Sequence, residues 1–193
     1  MSEALDDTNV AILLAPEGTE EVEFTRPRQA VEDAGANVDA VGPETGEVQT
    51  VESDLNEAGT YEVEKAVSEV SADDYDAVLV PGGTVGADTL RGDEETVSFV
   101  REFFDAEKPV GAICHGPWVL VEADADDRTG SGDAVEGRTL TSYPTLRTDI
   151  RNAGGEWVDE EVVTDDGVVT SRNPDDLDAY CERVVEVFGG DAE

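Results

Sequence analysis

The sequence predicts a mostly parallel α/β sandwich, and three observations carry that expectation. Short apolar runs, "NVAILLA" at 9–15, "YDAVLVPGG" at 75–83 and "KPVGAIC" at 108–114, have the character of strands buried on both faces. Segments with helical apolar spacing alternate with these runs, the pattern of strand-helix-strand units around a parallel sheet. The 193 residues suit one domain, since domains commonly run ~100 to 200 residues.

Each element follows in order. The first strand, 9–15, gives way at "PEG" to a helix expected over 20–34, whose acidic start "EEVE" suits a positive helix terminus and whose partial apolar face is Val22, Ala30, Val31 and Ala34. Gly35 ends it, and Pro27 inside it predicts a kink or a delayed start. "NVDAVGP" reads as a second strand, and the polar stretch 47–70 as hairpins and loops at the sheet edge. The strand at 75–83 stops at Pro-Gly-Gly, which exposes backbone N–H groups at its carboxyl end and marks that edge as a site. Over 88–104, Leu90, Val97, Val100, Phe103 and Phe104 recur at helical spacing and predict one amphipathic helix before the strand at 108–114. "EEVVTDDGVVTSRNP" reads as two short strands around Asp165, Asp166 and Gly167, and Leu177, Cys181, Val184 and Phe188 form the stripe of a last helix. The acidic patch at 122–137 is expected to be a solvated surface loop.

The charge balance narrows the environment. Forty-eight acidic residues against 12 basic ones give a formal net charge of -36. Disorder is not expected, because 38% of the chain is hydrophobic and falls in periodic runs. A folded protein of concentrated salt fits better, since a Debye length of ~3 Å at molar ionic strength screens the repulsion. Nucleic acid and anionic membranes are disfavoured partners for such a surface. "MSEALDDTNV" has no basic or apolar leader character, and no run approaches the ~20 apolar residues of a membrane span, so a soluble cytoplasmic protein is expected. Two cysteines, Cys114 and Cys181, make neither a disulfide framework nor a CxxC pair.

The chemistry concentrates at Cys114. A strand running into this residue, then Gly116 and Pro117 in a first helical turn, is the sequence of a nucleophile elbow. The helix amino terminus beneath the sulfur favours thiolate, against the plainer reading of an inert buried thiol. Cys181, on an apolar helical stripe, reads as core. His115 is the only histidine, which rules out multi-histidine metal sites and predicts no metal and no cofactor. It is either a polar residue of the first helical turn or the carrier of the thiol proton. "PGGTVGAD" at 81–88 lacks the ending of a phosphate loop, and the N–H groups of Gly83 and His115 are candidate oxyanion donors, the alternative being a plain turn.

"LLAPEGTEEVEFTRP", "VLVPGGTVGADTLR", "AICHGPWVL", "LTSYPTLRTDIRNAGGEWVDEEVV" and "VTSRNPDDL" together resemble the PfpI-like intracellular cysteine peptidases, within the class I glutamine amidotransferase-like superfamily, over nearly the whole chain. The resemblance implies a single domain over 1–193 with a flavodoxin-like three-layer sandwich, helices on both faces of the sheet. It implies Cys114 as nucleophile, His115 as its companion, and Glu20 as the carboxylic acid approaching the sulfur. Asp88 falls where the family places an acid that reaches the histidine of a neighbouring subunit, which implies a dimer or hexamer with a shared active site. It further implies Gly83 and His115 as oxyanion donors and Tyr143 as a pocket residue. Asp88 is one methylene shorter than the glutamate of some relatives, and the acidic patch at 122–137 is longer than usual. No histidine follows His115, which closes the glutamine amidotransferase reading itself.

The expected function is a stress-related cysteine hydrolase acting on peptide or amide bonds. A glyoxalase- or deglycase-like enzyme acting on methylglyoxal-type aldehydes is the first alternative. A redox-sensing protein whose Cys114 is oxidised by peroxide to sulfinic acid is the second.

Overall fold

The computed structural model of the chain describes residues 4–125 and 134–190. Its centre is a seven-stranded sheet built from β1 (Asn9–Leu13), β3 (Asn37–Gly42), β6 (Lys65–Ala66), β7 (Ala77–Val80), β8 (Val110–Ile113), β11 (Val162–Asp165) and β12 (Val168–Ser171), in the order β11-β12-β8-β7-β1-β3-β6. All neighbours are parallel except the β11–β12 pair, the hairpin around Asp165 to Gly167. The mostly parallel sandwich expected from the sequence is the fold observed.

Alternation along each strand builds two cores. Ala11, Leu13, Val78, Val80, Val110 and Ala112 face one side, while Val10, Ile12, Ala77, Leu79 and Ile113 face the other. The first side is covered by α2 (Thr84–Arg91), α3 (Glu94–Asp105), α4 (Pro117–Ala125) and α5 (Arg147–Asn152). The second is covered by α1 (Glu21–Asp33) and α6 (Leu177–Phe188), with Cys181 buried in that layer as expected. Two small sheets complete the fold: β2 (Glu17–Glu20) with β4 (Gly46–Glu52) and β5 (Asn56–Val63), and β9 (Thr139–Leu140) with β10 (Glu156–Trp157).

Three expectations are corrected. The single helix expected over 88–104 is two, α2 and α3: Gly92 ends the first, and Asp93 starts the second by accepting the Thr96 N–H at 2.9 Å. Pro27 neither delays nor divides α1, which begins at Glu21; the one helical bond forgone is that from residue 27 to the Glu23 carbonyl. The acidic patch at 122–137 is not all loop. Its first residues belong to α4, and Ala134 and Val135 are buried where Asp124 accepts the N–H groups of Val135 and Glu136. The remainder, 126–133, lies outside the described residues.

Candidate active site

Cys114 follows the last residue of β8 and adopts φ +61°, a left-handed conformation for a residue that has a Cβ. Three backbone bonds hold it there: Cys114 N–H donates to the Ser171 carbonyl at 3.0 Å, the Cys114 carbonyl accepts from Tyr143 N–H at 2.8 Å, and Gly116 N–H closes the turn onto Ile113 at 2.8 Å. Strain of this kind persists only where neighbours over-determine it, and it collects at functional sites. The turn delivers the side chain to the carboxyl end of the sheet, beside Pro81, Gly82 and Gly83 at the end of β7. Glycine is required there. A Cβ on Gly82 would stand 2.8 Å from both the Cys114 Cβ and the His115 nitrogen, and one on Gly83, at φ +85°, would fall on the Gly18 carbonyl.

The carboxyl group beside the sulfur belongs to Glu23. It is 1% exposed, its Oε2 accepts the Gly82 N–H at 2.9 Å, and it lies within interaction range of Cys114 while Oε1 closes no hydrogen bond of its own. Burial pushes its pKa up to about 8, and the negative charges of Glu20 and Asp54 push the same way. Glu23 therefore carries a proton at neutral pH. Burial also pushes the Cys114 thiol up, and an ionised Glu23 would add to that, whereas the N–H groups of Gly83 and His115 pull it down. A proton resting on Glu23 removes that repulsion and turns the carboxyl into a donor toward the sulfur, which offsets part of the upward push that burial puts on the thiol.

Glu20 is elsewhere. Its carboxylate accepts the N–H groups of Ser53 and Asp54 at 2.8 and 3.0 Å, at the tip of the β4–β5 hairpin. The acid expected from the first strand-to-helix turn is thus displaced by three residues, because α1 starts at Glu21 and its buried stripe is Glu23, Phe24, Pro27 and Val31. That 23-27-31 spacing was the available signal for Glu23.

His115 is 5% exposed. Its Nδ1 stands 3.3 Å from Cys114 Sγ and its Nε2 3.4 Å from Thr84 Oγ1. Tyr143 stacks on the ring at 4.7 Å, and Trp118 meets it edge-on at 5.0 Å. Burial lowers the His115 pKa, with the Asp54 charge opposing, so the imidazole is neutral and able to receive a proton. Asp88, on α2, pairs with Arg91 of the same helix at 2.8 Å rather than with His115 of its own chain. Thr84 and Asp54, which the sequence reading did not single out, both reach this cluster. Among the described residues no group of three or more His, Cys, Asp or Glu side chains is arranged to hold a metal ion. A cavity of about 720 Å³ between Phe104, Lys108, Arg138 and Asp165 shares no residue with the Cys114 cluster.

The chain that carries this strained cysteine, between a glycine turn and a buried carboxyl, is matched over residues 8–187 by a family model described as DJ-1/PfpI family. The chain belongs to the DJ-1/PfpI family. Among its relatives, "Putative cysteine protease YraA" of Bacillus subtilis is 39% identical over 89% of this chain and 92% of its own. "Protein/nucleic acid deglycase 2" of Escherichia coli is 39% identical over 93% of this chain and 97% of its own. In three dimensions the chain is similar to a two-domain protein of Anabaena variabilis with DJ-1/ThiJ/PfpI-like and ferritin-like domains, at TM-score 0.83 and 30% identity. That match covers 94% of this chain and about half, 48%, of the larger one. The DJ-1/PfpI family thus holds relatives named for two chemistries, amide cleavage and deglycation. No helix among the described residues is long and apolar enough to cross a membrane.

Proposed function

We propose that this DJ-1/PfpI chain is a cysteine-dependent enzyme in which Cys114 adds to the carbonyl carbon of a small α-oxoaldehyde of the methylglyoxal class. The observation that carries the reading is a nucleophile only 6% exposed against a carboxyl that holds its proton up to about pH 8. So enclosed a sulfur suits a two- or three-carbon electrophile better than a polypeptide. The thiolate sulfur bonds to the aldehyde carbon, the carbonyl electron pair moves to oxygen beside the N–H groups of Gly83 and His115, and Glu23 supplies the proton. The hydrogen on that carbon moves as a proton to the neighbouring ketone carbon while the new hydroxyl's proton moves to the ketone oxygen, which converts the hemithioacetal to the thioester of a 2-hydroxy acid. Water then releases a 2-hydroxy acid and restores the thiol. The sum is aldehyde plus water, with no external oxidant.

Amide hydrolysis is the second reading. It uses the same addition and the same two N–H groups, and the relative named as a cysteine protease favours it. In that reading Asp88 supports His115 of a neighbouring subunit, so activity requires the assembled oligomer.

The test compares wild type with Cys114→Ala in molar KCl, the medium expected for so acidic a chain. Both samples are checked for oligomeric state, and methylglyoxal loss, lactate formation and fluorogenic peptide cleavage are followed together. Lactate formed by wild type and not by the variant is the expected result. Cys114-dependent peptide cleavage without lactate would replace the proposal by the hydrolase reading, and equal rates in both proteins would remove both.

A further inference from the structure

The tip of the β4–β5 hairpin holds two consecutive residues other than glycine in the left-handed region. Ser53 and Asp54 adopt φ +55° and +62° in succession, a left-handed region that aspartate tolerates better than most residues but serine does not favour, and that tight hairpin turns usually fill with glycine, asparagine or aspartate. What holds them is the buried Glu20, which takes both of their N–H groups. The turn so fixed aims the Asp54 carboxylate back at the protein, where Oδ1 accepts the N–H of Thr84 at 2.6 Å. Thr84 is the first residue of α2, and its hydroxyl faces His115 Nε2. A strained turn, a buried clamp, a capped helix start and the free side of the imidazole therefore form one connected series.

We propose that Asp54 and Thr84 are positioning residues, supplied by the same chain as Cys114 and His115, which fix the tautomer of His115 so that Nδ1 is left open to the sulfur. The proposal rests on reading Cys114 and His115 as the reacting pair. With Nε2–H donated to Thr84 Oγ1, the neutral ring keeps its lone pair on Nδ1, 3.3 Å from Sγ. The thiol proton passes to Nδ1, the sulfur keeps the bonding pair, and the imidazolium retains its Nε2–H bond to the threonine. Tyr143 and Trp118 hold the ring plane but offer no acceptor to Nε2. Glu20 then acts on the chemistry from a distance, through the turn it clamps, and Asp54, whose charge also bears on His115, is the acceptor that places Thr84.

Because His115 is the only histidine, the imidazole ¹⁵N resonances of histidine-labelled protein report both of its ring nitrogens without ambiguity. In KCl at pH 7 the wild type should show Nε2 protonated and Nδ1 bare. Thr84→Val removes the hydroxyl while leaving the N–H that Asp54 holds, and should erase that asymmetry. It should also slow iodoacetamide alkylation of Cys114 roughly three- to tenfold, the worth of one hydrogen bond. Asp54→Ala should do the same, and Thr84→Ser and Asp54→Asn, which keep the donor and acceptor atoms, should restore both signals. Thermal melts check that each variant is folded. Unchanged imidazole resonances in Thr84→Val overturn the proposal, as does a change in Asp54→Ala without one in Thr84→Val. So does a tautomer that follows Asp88→Ala instead. Since neither readout uses substrate, loss of the methylglyoxal activity assignment would leave this result standing.

Discussion

Glu20 and Glu23 stand three residues apart at the start of one helix, both nearly buried at 7% and 1% exposure, and their surroundings give them opposite tasks. Glu20 meets two backbone N–H groups, at Ser53 and Asp54, and spends its charge on fixing a turn. Glu23 meets one, from Gly82, and otherwise faces a sulfur in a dry pocket. A buried carboxylate with enough donors is stable as an anion, whereas one short of donors keeps its proton. Burial raises the Glu23 pKa first of all, and the single N–H within its reach, against two for Glu20, sets the carboxyl at the sulfur apart from the one that holds the turn.

The sharpest way to break the comparison is to remove only the proton of Glu23. Glu23→Gln retains shape and a donor toward the sulfur but has no proton to transfer. Cys114 alkylation should stay within a few-fold of wild type while methylglyoxal turnover falls about 10²- to 10⁴-fold, the range of a lost general acid. Glu23→Ala should lose both. Alkylation that collapses in Glu23→Gln as fully as turnover would mean that the carboxyl only sets the thiolate, and its role as proton donor would fall.

The same proton leaves a mark on stability. A carboxyl whose pKa stands at about 8 in the folded chain against 4.5 in the reference state binds its proton more tightly when folded. Its contribution is whole below pH 4.5 and is lost as pH rises through 8. Denaturation of wild type and Glu23→Gln across that window, at constant KCl, should show the wild type losing stability relative to the variant. The loss should total on the order of 5 kcal/mol, since a tenfold change in proton affinity is worth about 1.4 kcal/mol. Parallel curves would place Glu23 among ordinary solvated acids.

Legibility from sequence follows the range of the interactions. β1, β7 and β8 are written plainly because burial on both faces demands continuous apolar runs, and Cys114 with His115 is legible because the elbow is local. β2, β9 and β10 exist only through their partners and leave no pattern in two to four residues. The break between α2 and α3 was present as Gly92-Asp93, yet apolar spacing carried across it and masked the boundary. At the site the difficulty is convergence: Glu23, Asp54 and Thr84 arrive from three separate elements. Of the three candidate acids in "TEEVE", Glu23 is marked out by its register with Pro27 and Val31 on the buried stripe of α1, a signal read only once the helix face is known. Asp88 differs again: the partner expected for it would come from a second copy of the chain, and among the described residues its carboxylate pairs with Arg91.

Glu20 supplies the smallest effect and the most exacting control. Glu20→Gln keeps one acceptor for the Ser53–Asp54 turn and presents an NH₂ group to the other N–H, so one of the two charge-assisted bonds is lost. That should cost about 1–3 kcal/mol of stability, measured by KCl-supported urea denaturation. The slackened turn reaches the sulfur only through Asp54, Thr84 and His115, so alkylation of Cys114 should slow by no more than about threefold, a fraction of one hydrogen bond. If Glu20→Gln instead silenced Cys114 as completely as Glu23→Ala, the two carboxyl groups would form one coupled acid. The division of labour between turn and sulfur would then have to be redrawn around the repulsion that Glu20 exerts on Glu23.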